Sequence, residues 1–189
     1  MEDEDQQVVQ RVRAGDTEAY ALLVRKHQAR IRGYCIWTLG NAAEADDAAQ
    51  EVFIKVYRGL GSFRGGAAFS TWIHRIAVNH CRDLLRKRSR EKTESWDALR
   101  EREGEAAEAR VAQDPTAGQR RQLQEALGRL PEQYKTVLIL REAEGMSYQE
   151  LAEFLGCSLD AVKARLRRAR SELVQAARHF FEPSDVQQK

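Results

Sequence analysis

The chain has 189 residues, 31 Lys and Arg against 29 Asp and Glu, and a formal net charge of +2. That length holds one ordinary domain or two small ones, and near-neutrality excludes a generic polyanion binder. The charge is unevenly placed: residues 159–178 carry a net of +4 and residues 91–118 a net of −4. Such asymmetry is more informative than the total.

Three cysteines, Cys35, Cys81 and Cys157, are widely spaced and form no CxxC pair. Neither a zinc ribbon nor a disulfide framework is indicated, and no cofactor or metal is expected. His74, His80 and Cys81 lie close in sequence, but only helical neighbours three or four apart share a face. The acidic start, MEDEDQQ, is unlike a signal peptide. No apolar run approaches a membrane span. The expected location is the cytoplasm, without membrane insertion.

Helical periodicity runs through most of the chain and strand patterns are nearly absent, so the fold class is all-α. A first helix over 5–14 ends at Gly15. Asp16 caps a long helix over 17–39, whose apolar stripe includes Tyr20, Leu23, His27, Ile31, Tyr34, Cys35 and Leu39. A third helix covers 44–60. The glycine-rich segment GSFRGGAAF follows. A fourth helix over 70–89 sets Ile73, Ile76, Ala77, Leu84 and Leu85 at core spacing. These elements form a first lobe, residues 1–90.

Residues 91–118 lose the stripe and become acidic and alanine-rich, the composition of a flexible linker. A second lobe spans 119–181, followed by a tail over 182–189. Leu123, Ala126, Leu127 and Leu130 mark its first helix. Pro131, at a first-turn position, opens the next, which Gly145 ends. SYQE at 147–150 is a capping box. That helix stops at Gly156, and Ser158 caps the last one.

A capped helix, a glycine turn and a second capped helix is helix-turn-helix grammar. Leu151, Leu155, Leu159, Val162, Leu166 and Leu173 supply the buried side. Lys163, Arg167 and Arg170 then face outward, flanked by Ala164 and Arg168. A helix with this face can enter a major groove, where Arg pairs with guanine and cations neutralise phosphates.

The third helix has Ala49, Val52, Phe53, Val56 and Leu60 on one side. Asp47, Glu51, Ile54 and Arg58 lie opposite, flanked by Asp46 and Gln50. An acidic face centred on an isoleucine resembles a protein docking site, although single exposed apolar residues are common. The fourth helix presents Trp72, Arg75, Asn79, Arg82 and Arg86 on its outer side. An aromatic ring with spaced cations suits a nucleic acid strand; a half-buried tryptophan beside a solvated basic tail is the plainer alternative.

The stretch DDAAQEVFIKVYRGLGSFRGGAAFSTWIHRIAVNHCRDLLRK resembles the σ2 domain of the extracytoplasmic-function (ECF) sigma factors of bacterial RNA polymerase. Leu130 to Leu173, from LPEQYK through GMSYQELAEFLGCS to RLRRARSEL, resembles their σ4 domain. The resemblance covers about residues 8–90 and 119–178. It implies two small helical domains, a σ2-like bundle and a σ4-like helix-turn-helix. It also implies an alternative sigma factor, not an enzyme, that recognises −10 and −35 promoter elements and promotes DNA opening for a stress- or signal-responsive regulon.

By position, the resemblance assigns Asp46, Asp47, Gln50, Glu51 and Ile54 to docking on the β′ clamp helices of core polymerase. Phe63 and Arg64, in the specificity loop, with Trp72, Arg75, Asn79 and Arg82, fall to the −10 element. Ser158, Lys163, Ala164, Arg165, Arg167, Arg168 and Arg170 fall to the −35 element, with Arg165 and Arg170 as phosphate contacts. The implied partners are core RNA polymerase, through the β′ clamp helices and the β flap, promoter DNA and an anti-sigma factor. Gly65, Gly66, Ala67 and Ala68 leave that loop few side chains with which to recognise a base. The acidic linker is expected to thread through polymerase.

The competing reading is a stand-alone helix-turn-helix regulator that binds duplex DNA without polymerase. It leaves the Asp47/Glu51/Ile54 and Trp72/Asn79 faces unused. An enzyme has no support in motifs: there is no Walker sequence, zincin motif or nucleophile elbow.

Overall fold

A computed structural model describes residues 2–96 and 117–181. The expected linker beyond Trp96 and the tail after residue 181 lie outside the described residues. Eight α-helices in two lobes make up the described chain, with no strand among the described residues.

In the first lobe, α1 (Glu2–Arg13) is followed by a single 3₁₀ turn, Thr17–Ala19, capped by Asp16, which accepts from the Ala19 amide at 3.1 Å. The long helix α2 (Tyr20–Leu39) therefore begins three residues later than expected. Gly40, at φ 79°, closes it in the left-handed region that only glycine enters cheaply. Asn41 then caps α3 (Ala42–Gly59) by accepting from the Glu44 amide at 3.0 Å.

Helix α4 spans Phe69–Trp96, seven residues past its expected end. The acidic segment thus starts as helix, because Glu and Lys sustain a helix without an apolar stripe. Helices α2, α3 and α4 pack around Leu23, Ile31, Cys35, Val52, Val56, Ile73, Ala77 and Cys81, each at most 1% exposed.

The second lobe contains α5 (Ala117–Gly128), α6 (Glu132–Leu138), α7 (Tyr148–Leu155) and α8 (Leu159–Phe181). Pro131 is the N-cap of α6, one position earlier than expected. The chain continues from α6 through a π-helical turn, Ile139–Ala143, before Gly145 turns at φ 70°. Ser147 and Glu150 form the reciprocal box, at 3.1 and 2.7 Å. Gly156, at φ 63°, turns the chain into α8, whose first turn receives the Ser158 hydroxyl.

Leu151, Val162, Leu166 and Ala169 are at most 1% exposed and lock α7 onto α8. Two expected core residues differ. Leu159 is 43% and Leu123 39% exposed. Leu159 is the first residue of α8, at the rim of a surface hollow with Ala152 and Gly156, and Leu123 lines a surface groove with Trp37 and Leu127.

The lobes touch. Helix α7 lies against α4, and the π-helical turn against α2. Lys135 donates to the Thr38 carbonyl at 2.8 Å, and Arg30 to the Glu144 carbonyl at 2.7 Å.

Candidate nucleic-acid and polymerase interfaces

Three surfaces carry the expected site residues. The first is the outer side of α3. Asp47, Gln50 and Ile54 are exposed there, and Asp46 and Glu51 are half-buried. Ile54 is 44% exposed, and Tyr57, one turn on, matches it at 44%. Tyr57 was not singled out from the sequence. Its signal was the i, i+3 spacing from Ile54, which makes a two-residue apolar centre within the acidic face. Arg32 of α2 binds Asp46 at 2.5 Å and lowers its pKa, fixing that carboxylate as an anion.

The second surface is α4 with the glycine-rich loop. Phe63 differs from expectation. Its ring is 4% exposed and packs on Phe69 and Trp72 at centroid distances of 5.6 and 5.2 Å. It anchors the loop from beneath, while Arg64 next to it is exposed. Arg13 of α1 ties the loop entry by donating to the carbonyls of Leu60, at 3.0 Å from Nε, and of Phe63. Nothing in the sequence marks Arg13 for this task, because its partners are backbone oxygens some fifty positions away.

Trp72 is half-buried in the aromatic cluster. Arg75, Asn79 and Arg82 follow at helical spacing along one side of α4, and Asn79 is exposed. The cations are already engaged by the second lobe. Arg75 donates to the Glu153 carbonyl at 2.7 Å, and Arg82 is paired with Glu132. The Glu153 carboxylate also accepts from the Ala68 amide at 3.2 Å. These acidic partners carried no sequence signal as site residues, since each is an ordinary helix glutamate.

The third surface is α8. Lys163, Arg167, Arg168 and Arg170 are exposed and Ala164 is half-buried between them, so the outward face is built as expected. Ser158 is exposed at its start and spends its hydroxyl on the Ala161 amide. Arg165 turns elsewhere. It lines a crevice of about 400 Å³ between the lobes, together with Arg75, Asn79 and Arg82. Arg170 is held by Glu142 at 2.6 Å.

The three residues weighed as a metal cluster point apart. His80 Nδ1 meets Lys55 at 2.7 Å, His74 Nδ1 meets the Ser70 carbonyl at 2.7 Å, and Cys81 Sγ lies 3.7 Å from Cys35 Sγ. The hydrogen bond to Cys81, with burial, pushes the Cys35 thiol far up, so it is an inert buried thiol.

The geometry agrees with the comparisons to known proteins. Residues 23–91 match the sigma-70 region 2 family model and residues 120–173 the sigma-70 region 4 model. The chain is 39% identical over 182 residues to the RNA polymerase sigma-H factor of Pseudomonas aeruginosa, covering 93% of this chain and 94% of that one. It is 34% identical over 176 residues to the ECF RNA polymerase sigma-E factor of Escherichia coli, covering 89% and 92%. A solved structure of CnrH in complex with the cytosolic domain of CnrY superposes with a TM-score of 0.68 at 25% identity, covering 90% of this chain and 95% of that one. The fold is also that of the sigma factor RpoE solved with the anti-sigma factor NepR from Bartonella quintana, at a TM-score of 0.62 and 24% identity, covering 84% and 96%.

Regions 2 and 4 in this order, each a small helical lobe, are the makings of a sigma factor. The chain belongs to the ECF sigma factors of the sigma-70 family. It is an alternative sigma factor, a promoter-specificity factor for transcription initiation. The stand-alone regulator is not favoured: region 2 is matched over residues 23–91, the lobe which that reading leaves idle.

Proposed function

We propose that this sigma factor docks on core RNA polymerase through the α3 face. Ile54 and Tyr57 form the apolar centre of the contact with the β′ clamp helices, and Asp46, Asp47, Gln50 and Glu51 form its polar rim. Supporting this is the exposure of two large apolar residues among acidic side chains, the build of a binding hot spot.

Arg64, Trp72, Arg75, Asn79 and Arg82 meet the melted −10 strand. Phe63 serves from below, holding the loop that receives an unstacked base. Capture costs a few kcal/mol of unstacking, offset by contacts in the loop. Lys163, Ala164, Arg167 and Arg168 enter the −35 major groove. Arg170 and Ser158 lie at the margins of that helix, against phosphates. The second lobe meets the β flap.

The factor acts in the cytoplasm; among the described residues no helix is long and apolar enough to cross a membrane. It has no catalytic task of its own. An anti-sigma factor restrains it. Support comes from two solved structures, RpoE in complex with the anti-sigma factor NepR and CnrH in complex with the cytosolic domain of CnrY, and from an apolar groove of about 220 Å³ lined by Trp37, Leu127, Leu138 and Leu173.

The observation that carries the proposal is the pairing of an exposed acidic-apolar face on α3 with an exposed basic face on α8. Run-off transcription with core polymerase on a pool of promoter fragments tests it. Promoter-specific transcripts appear only with the factor. Tight duplex binding without any stimulation of polymerase would reverse the assignment.

A further inference from the structure

The glycine-rich loop has little with which to select a base. Gly65, Gly66, Ala67 and Ala68 carry almost no side-chain chemistry, and Phe63 is buried. Helix α1 supplies what the loop lacks. Gln6, Gln10 and Arg13 of α1 line a pocket of about 170 Å³ together with Arg64 and Gly65 of the loop. Val9 and Phe63, 1% and 4% exposed, make up its apolar part.

Residues 6, 10 and 13 share one side of α1 by helical spacing, and that side meets the loop. The approach is close: Gly65 holds φ 70°, and a Cβ there would stand 3.2 Å from Gln6 Nε2. The helix is also pinned on either side of the glutamines. Asp5, 6% exposed, accepts from Lys26 at 2.6 Å and lies 3.0 Å from His27 Nε2. Arg13 donates to the Leu60 carbonyl at 3.0 Å. Between these anchors Gln6 and Gln10 are exposed, and among the described residues no hydrogen bond takes up either side-chain amide. Groups held on a fixed helix are better placed to recognise a ligand than groups on a loop.

A glutamine amide donates from Nε2 and accepts at Oε1. That pair matches the edge of a nucleobase, where a donor and an acceptor stand side by side. Pairing hides the Watson–Crick edge in a duplex, and unstacking exposes it. The exposed Arg64 adds a cation for the phosphate of the same nucleotide.

We propose, resting on the −10 role proposed above for this loop, that α1 selects the unstacked base. Gln6 and Gln10 present their amides to its Watson–Crick edge in the pocket between α1 and the loop. The loop gives the base a place to sit, and its small residues let α1 come within reach. Gly65 is glycine because a side chain there would displace Gln6.

Holoenzyme assembled from core polymerase and the full-length chain tests this on a barcoded promoter library with a randomised −10 region, the run-off transcripts being counted by sequencing. The variants are Gln6→Ala/Gln10→Ala, Gln6→Glu/Gln10→Glu and Gln7→Ala, a neighbour that does not line the pocket. Wild type is expected to favour one base at one −10 position. In Gln6→Ala/Gln10→Ala that preference should fall about tenfold, the scale of one amide–base contact, while preferences at the other positions stand. Gln6→Glu/Gln10→Glu keeps the shape but loses the donors, so it should change which base is favoured there. Gln7→Ala should keep the wild-type profile.

An unchanged profile in Gln6→Ala/Gln10→Ala overturns the assignment. So does an even loss of preference at every −10 position, which would make α1 a support for the loop and nothing more. If wild type yields no promoter-specific transcripts, the proposed function fails and the role of α1 falls with it. Selective transcription by wild type and the alanine double variant alike sinks the role of α1 alone.

Discussion

The outer side of α3 and the Arg75–Arg82 side of α4 belong to one lobe, yet they are in opposite states. On α3, Ile54 and Tyr57 stand exposed and the anions are held ready, with Asp46 fixed by Arg32 of the same lobe. On α4, Arg75 donates to the backbone carbonyl of Glu153 and Arg82 pairs with the Glu132 carboxylate, both in the other lobe. One surface is open as it stands, and the other is covered in part by the second lobe. The difference separates a proposed docking surface that already stands exposed from a proposed strand-reading surface whose cations are engaged within the chain.

The largest expected effect breaks the open surface. Ile54→Glu places a charge at the centre of the docking face. Affinity for core polymerase should fall at least about thirtyfold, since a central apolar anchor is worth about 2 kcal/mol or more. Thermal stability should barely move, because the side chain is exposed.

A core change shows what a structural loss looks like by contrast. Leu151→Ala removes a wholly buried anchor between α7 and α8. It should destabilise the second lobe by about 2–5 kcal/mol. Thermal unfolding monitored by circular dichroism checks this, and polymerase affinity through α3 should suffer far less.

Arg13→Ala probes the loop that links the two surfaces. It frees the carbonyls of Leu60 and Phe63, and should cost about 2 kcal/mol in stability, as expected for hydrogen bonds from a charged donor. Hydrogen exchange should rise in residues 60–66 while α8 stays protected.

The smallest effect is a pH dependence confined to the first lobe. Burial lowers the pKa of His27, with Asp5, 3.0 Å away, opposing the shift. The folded state therefore binds the proton less readily than the unfolded chain. Stability is full above the unfolded value of about 6.5 and declines as pH falls below it. The melting temperature should drop by a few degrees between pH 7 and 5, and His27→Gln should flatten that slope.

Most of the fold was legible because its signals are local. The Ser147–Glu150 box, the glycines at 15, 145 and 156, and the 3.6-residue stripes each act within a few positions of themselves. The faces of α3 and α8 were legible for the same reason, since one helix's sequence fixes which residues share a side. What escaped was non-local. Arg13 reaches carbonyls around fifty residues away, and Glu144 fits a gap made by a glycine, Gly33, in another lobe. Phe63 was assigned to the −10 element by the resemblance of its loop, and its burial against Phe69 and Trp72 depends on residues of the next helix. Arg165, assigned to a phosphate contact by the resemblance, lines the crevice beside Arg75, Asn79 and Arg82, a neighbourhood that the sequence of α8 alone does not reveal.

The most direct test of the account is retention of the factor by immobilised core polymerase, comparing wild type, Ile54→Glu and the triple variant Lys163→Ala, Arg167→Ala, Arg168→Ala. Wild type and the triple variant should be retained equally, with only the triple variant losing duplex promoter binding, while Ile54→Glu should wash through with its helix content intact. Equal retention of Ile54→Glu and wild type would contradict docking through α3.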